Sequence, residues 1–207
     1  MNENTNTSTK LNIGECRLSY VHLFTPEVFT DGSKKKYSVS IIIPKNNTKL
    51  VSQIKQAINA AQQAGVASKF GGKKPVELKN PLRDGDETFT DADGIEKRCK
   101  GEEFRGCHYI NATSNTKPGI VKIMKINGVN KLVEVTDENE VYSGCYGIVN
   151  VGFYAFNNAG NKGIGAGLNN VMKTRDGDYL GGRTSAQTDF GGVNLDDYDP
   201  DNWDMPE

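Results

Sequence analysis

Apolar and polar residues alternate most strictly between Gly144 and Phe156. Cys145, Val149, Val151, Phe153 and Ala155 fall on one side, and Tyr146, Ile148, Asn150, Tyr154 and Phe156 on the other. A period of two is that of a β-strand, and one this long has to bend to stay within a small domain. Gly147 and Gly152 are the expected bending points. Asn157 to Gly163 has the composition of a turn, after which Ile164, Ala166, Leu168, Asn170 and Met172 return as a second strand ending at Arg175-Asp176-Gly177. The pattern predicts a long hairpin, bent at glycine, with rings on both faces.

The same period marks Leu11 to Phe24 and Tyr37 to Ile43, the latter stopping at Pro44, which cannot donate to a ladder. Phe104 to Thr113 reads as a further strand, and Thr88–Thr90 with Ile95–Lys100 as a small exposed hairpin. Ile120–Ile126 and Val129–Val135 flank Asn127-Gly128, a strong hairpin signal. One segment has helical spacing instead. Leu50, Ile54, Ala57, Ile58 and Ala61 recur at three- and four-residue steps over Thr48–Ala64, with Asn47 or Thr48 as cap and Gly65 as the expected stop. Seven to nine strands and one helix argue a mainly β domain, a closed or partly open barrel.

Composition agrees. The 207 residues are 36% hydrophobic with 23 glycines, and the mean hydropathy is −0.58. No apolar run reaches the roughly 18 residues of a membrane span, and the start lacks a signal-peptide pattern, so a cytoplasm is the expected location. Charge changes the picture more. All 25 lysines and arginines lie at or before Arg183, whereas seven of the 26 acids follow it, leaving residues 1–188 at +6 and residues 189–207 at −7. Residues 1–10 have nothing to bury and are expected to be disordered, residues 11–188 form the domain, and residues 189–207 form a flexible acidic tail. Phe190, Leu195, Tyr198, Trp203 and Met205 are set among its acids, which suits docking on a basic pocket better than plain solvation does.

Basic loops recur beside aromatic strands. Lys34, Lys35 and Lys36 precede Tyr37, with Lys45 beyond the strand. Arg105 and Tyr109 share a strand face, followed by Lys117 and Lys122; Tyr154 and Phe156 share another, with Lys162 in their turn. Arg83 and Phe24 complete the set. A single-stranded nucleic-acid groove needs this mixture, because cations track phosphates while rings stack on bases at roughly 1–3 kcal/mol per base. Other chemistries fit less well. Gly163-Ile-Gly-Ala-Gly167-Leu168 lacks the third glycine and following helix of a dinucleotide loop, so no cofactor is expected, and the glycines fit close backbone approach. The four cysteines form no CxxC pair; Cys99, Cys107 and His108 fit no zinc spacing. Asp84/Asp86 and Asp176/Asp178 could hold Mg²⁺ in a nuclease, the alternative reading, but each pair embraces a glycine as turns do.

Several stretches carry a resemblance: LSYVHLFTP at 18–26, KYSVSIIIPK at 36–45, NPLRDGDE at 80–87, HYINATSNTKPGIV at 108–121 and GIVNVGFYAFNNAGNKGIGAGLNNVMKTRDGDYLGG at 147–182. Together they cover most of residues 11–183 and resemble a family of phage and prophage single-stranded-DNA-binding proteins, itself similar to the replication protein of the T-odd phages. The resemblance implies an OB-fold barrel with a decorating helix and extra hairpins, coating single-stranded DNA in phage replication or recombination without doing chemistry. It also implies an acidic tail that recruits a polymerase, helicase, exonuclease or recombinase, and it leaves room for a homodimer. Asp196, Asp197, Tyr198, Asp199, Asp201, Trp203 and Asp204 are the expected contacts of that tail. It ends Met-Pro-Glu rather than in phenylalanine, so Tyr198 or Trp203 is the expected anchor.

Overall fold

The alternation at 144–156 becomes the central antiparallel pair of the molecule. The computed structural model describes residues 8–28, 34–93, 95–98, 100–158, 160–180 and 190–194. In chain order the elements are β1 (Lys10–Glu27), β2 (Lys36–Pro44), α1 (Thr48–Ser68), β3 (Arg83–Asp84), β4 (Thr88–Thr90), β5 (Glu96–Arg98), β6 (Cys107–Ser114), β7 (Gly119–Ile126), β8 (Val129–Glu134), β9 (Tyr146–Asn158) and β10 (Asn161–Arg175). The large sheet runs β3-β6-β2-β1-β9-β10-β7-β8, and β10 also meets β6 in parallel at Gly167 and Thr113. That contact closes β1, β2, β6, β9 and β10 into a five-stranded barrel of OB-fold type, with β7–β8 appended and β4–β5 as a separate ribbon.

The barrel closes because each strand sends one apolar row inward. Ile13, Leu18, Val39, Ile41, Ile43, Ile110, Val149, Val151 and Val171 are all buried in one cluster. Each such side chain contributes about 1.5–3 kcal/mol of burial. The helix lies between the second and third barrel strands and packs Leu50, Ile54, Ala57 and Ala61 into the same cluster, mainly against β9. Asn47 caps it, its side chain accepting from the Leu50 N–H at 3.3 Å.

Two expectations need correcting. Gly65 does not end the helix, which runs on to Ser68. It is buried because a Cβ there would stand 2.3 Å from that of Ala155, so its smallness serves packing. Bulges accompany the long hairpin in the strands on either side of β9, two of them at residues paired with Gly147. The register slips between Leu168 and Asn170, between Lys173 and Arg175, and in β1 between Ile13 and Cys16. Finally, Lys10 is the first residue of β1, paired with Gly152, so order begins before the expected boundary. The β7–β8 turn follows its signal: Asn127 and Gly128 both have positive φ, 52° and 80°, the pairing a tight two-residue hairpin requires.

Candidate nucleic-acid interface

The outer faces of β1, β2 and β6 form a polar groove. Where Ser19 and His22 of β1 face Ser40 and Ser38 of β2, β1 carries one residue too many. The bulge puts Tyr20 at φ 46° with its ring half exposed, although a left-handed backbone is costly for any residue with a Cβ. The ring stacks on Phe104 at 6.3 Å, and the Lys100 ammonium lies 5.2 Å from its centroid. Beside it opens a cleft of about 190 Å³ lined by Tyr20, His22, Ser38, Ser40, Lys100, Asn111 and Thr113 among others. The Ser40 hydroxyl donates to Asn111 Oδ1 at 2.7 Å, and His22 Nε2 meets Glu27 at 2.9 Å.

The basic cluster stands at the N-terminal end of β2. Lys34 and Lys35 are exposed and Lys36 opens the strand, two residues before Ser38 on the same face. None of the three makes an ion pair among the described residues. Tyr37 is half-buried and faces the opposite way, with the buried row of Val39. Phe24 and Lys117 are brought together, the ammonium 5.4 Å over the ring, so one face of Phe24 is already covered.

On the next part of the barrel wall, the rings of β9 lie on glycines of β10. A Cβ on Gly165 would stand 2.6 Å from Cζ of Tyr154, and one on Gly163 2.8 Å from Cζ of Phe156. The glycine run between 163 and 167 exists so that aromatic rings can lie flat against the backbone. Tyr154 keeps half its surface in solvent, whereas Phe156 is less open. Lys162 is not in the turn as expected but is the second residue of β10, paired with Asn157 and partly buried, its carbonyl accepting from the Lys79 N–H at 3.1 Å.

The remaining candidates go elsewhere. Tyr109 is 2% exposed, packed edge-on against Phe104 at 5.2 Å and beside Ile42, so it supports the groove from below and offers no face to a base. Arg105 does not share a strand with it: Glu102–Phe104 is a 3₁₀ turn, Gly106 has φ 67°, and the Arg105 guanidinium pairs with Glu102 at 2.9 Å. Lys45 is held by Asp84 at 2.6 Å and Asp86 at 2.8 Å, and Lys122 pairs with Glu140. Arg83 is exposed on the short edge strand β3, one strand beyond the groove. Asp196, Asp197, Tyr198, Asp199, Asp201, Trp203 and Asp204 lie outside the described residues.

The carboxylate turns are occupied by cations of the chain itself. Lys45 bonds hold the carboxyls of Asp84 and Asp86 below the ordinary range, with help from the backbone N–H groups of Asp86 and Gly106 respectively. Asp176 is lowered by Lys173 and by the Tyr142 hydroxyl. The three thiols among the described residues are muted: burial pushes Cys16 up to about 12 and raises Cys107 and Cys145 as well. They are protonated at neutral pH and poor nucleophiles. Among the described residues no three His, Cys, Asp or Glu side chains gather as metal ligands, and no helix is long and apolar enough to cross a membrane.

A family model described as the single-stranded-DNA-binding protein of Enterobacter phage Enc34 matches residues 9–202. The chain belongs to that family. Protein p50 of Acyrthosiphon pisum secondary endosymbiont phage 1 is 28% identical over 187 residues, covering 90% of this chain and 95% of its own. Among solved structures, the Enc34 phage protein in complex with single-stranded DNA superposes with a TM-score of 0.63 at 25% identity, over 83% of this chain and 88% of the other. A second structure of the single-stranded-DNA-binding protein from bacteriophage Enc34 gives 0.61 at 22% identity, over 87% of each chain, a likeness of fold. The Enc34 family likeness thus spans the whole barrel and its additions. Sequence reading passed over Tyr20, Lys100 and Asn111 in it. No local signal marks Tyr20, since its exposure depends on a bulge; Lys100 and Asn111 reach the groove only when the barrel closes.

Proposed function

We propose that this chain coats single-stranded DNA along the outer face of β2 and β6, without regard to most of the sequence. The observation that supports the reading is a chain of neighbours: Lys36 opens the strand whose Ser38 pairs with Thr113, Thr113 lines the Tyr20 cleft and meets Gly167, and the half-exposed Tyr154 ring lies against Gly165 and Gly167, in a family with a member solved on single-stranded DNA. Lysines at the loop mouth neutralise phosphates and release counterions, while rings accept bases of any kind. Phe156, Lys162 and Lys117 extend the path, and Arg83 lies at its edge. Lys45, Lys122 and Arg105, each in an ion pair, contribute little to it.

The setting proposed is replication or recombination in the cytoplasm of a phage-infected cell. The +6 body and the −7 tail make the tail a competitor for the groove. Removing residues 189–207 should tighten DNA binding, most at low salt, because the Debye length falls from about 30 Å at 0.01 M to about 8 Å at physiological salt. Tyr198 and Trp203 would anchor a polymerase, helicase, exonuclease or recombinase, so their replacement by Ala should abolish partner capture while leaving the competition largely intact. Incubating the full chain with labelled oligonucleotide, with and without Mg²⁺, tests the primary reading. A binder shifts the strand intact in both conditions; a strand shortened only with Mg²⁺ establishes a nuclease and overturns it.

A further inference from the structure

We infer that the cleft beside Tyr20 is a socket for one nucleobase of the bound strand and that it favours thymine over adenine, a deepening that rests on the function proposed above. The first ground is the backbone. Tyr20 holds φ 46° with half its surface in solvent, so its ring is not there to fill the core. Glycine would take that conformation freely, and a bulky residue kept in it points to a task for the side chain. Phe104, itself fully buried, stacks on the ring at 6.3 Å, and the Lys100 ammonium lies over it at 5.2 Å. A fixed, half-open ring bordering a cleft is a stacking platform.

The second ground is the polarity of the lining. Lys100 supplies only donors. Asn111 spends its carbonyl oxygen on the Ser40 hydroxyl, which leaves its amide N–H groups to the cleft. Glu27, the one carboxylate there, is engaged by His22 at 2.9 Å. The hydroxyls of Ser38 and Thr113 can serve either way. A donor-rich wall suits a base edge with carbonyl oxygens. Thymine presents the acceptors O4 and O2, whereas adenine sets an amino donor beside its N7 acceptor, so a wall of donors opposes part of its edge. One selective pocket in an otherwise indifferent groove would set the register of the strand on each copy.

The test uses the full chain with labelled oligothymidylate and oligoadenylate of equal length. Wild type should favour oligothymidylate, and Tyr20→Gly should weaken it by roughly 5- to 150-fold, the loss of one base stack. The same change should also shrink the thymine-to-adenine ratio, a comparison with wild type that cancels the different self-stacking of the two strands. Its melting temperature should hold, because the relieved backbone offsets the lost ring contact. Tyr20→Phe should bind like wild type. 5-Iodouracil in the strand should crosslink to Tyr20. Unchanged affinity of Tyr20→Gly, or a complex whose crosslinks avoid Tyr20, overturns the inference and leaves the proposed function standing. No binding of either strand by wild type overturns both. If Tyr20→Gly does not fold, Lys100→Met must show the narrowed ratio, and an unchanged ratio is equally fatal.

Discussion

The two ends of β2 carry the same residue type and do different things with it. At the N-terminal end Lys34, Lys35 and Lys36 make no ion pair among the described residues, beside the Phe24–Lys117 contact. At the C-terminal end Lys45 is clasped by Asp84 and Asp86, and Asp86 also takes Arg98 at 3.3 Å and the Gly106 N–H at 3.0 Å. The first set of charges is available to an outside polyanion. The second is spent on pinning the 84–86 turn against the end of β6. A lysine beside an aromatic strand therefore signals a DNA contact only when no carboxylate of the chain has claimed it, and local sequence does not show the claim.

The largest effect expected from this contrast is on affinity. Replacing Lys34, Lys35 and Lys36 together by Glu should weaken every oligonucleotide at low salt on the order of 100-fold or more, because three phosphate contacts become repulsions. A loss confined to one base sequence would break the comparison, since it would mean base reading at the loop. Next comes the ring surface. Tyr154→Ala should weaken binding about 30-fold, the middle of the range for one base stack. Gly165→Ala should do part of the same, because the added Cβ would displace the Tyr154 ring. Quenching of intrinsic fluorescence on titration with oligothymidylate measures both.

How far this contrast was legible depends on what each residue's environment requires. The β9–β10 hairpin and the Asn127-Gly128 turn were legible because alternation and turn chemistry are local properties. The opening of β2 was legible too, as lysines run directly into an apolar strand. The fate of Tyr109 was not: its ring is covered by Phe104, five residues away across a glycine turn that breaks the apparent strand. Nor were the Lys45 partners, some forty residues downstream. Gly163, Gly165 and Gly167 were legible only as places of close approach; what approaches is the Tyr154 ring at 165, Lys79 together with Phe156 at 163, and the Gly152 carbonyl at 167.

At the clasped end the expected effects are smaller. Lys45→Ala should leave DNA affinity near that of wild type and lower the melting temperature, since Asp84 and Asp86 lose their main partner. The smallest effect is on pH. Asp84, Asp86, Asp91 and Asp176 all have carboxyls held below the ordinary value of 3.8 by hydrogen-bonded cations. A carboxyl lowered by folding stabilises the folded state above that value and stops doing so as pH falls through its folded pKa. Melting temperature should accordingly hold from neutral pH down to about 4 and decline below it, and Lys45→Ala should soften the decline. A Lys45→Ala decline as steep as that of wild type would show that the clasp is not its source.

The most direct test of the central claim is the slope of log binding constant against log salt for oligothymidylate. It compares wild type, the triple variant with Ala at Lys34, Lys35 and Lys36, and Lys45→Ala. Each lysine on a phosphate of a single strand adds about 0.7 to the slope. The account predicts a slope lowered by about two in the triple variant and unchanged in Lys45→Ala. Equal changes in the two variants, or a larger change on removing Lys45, would contradict it.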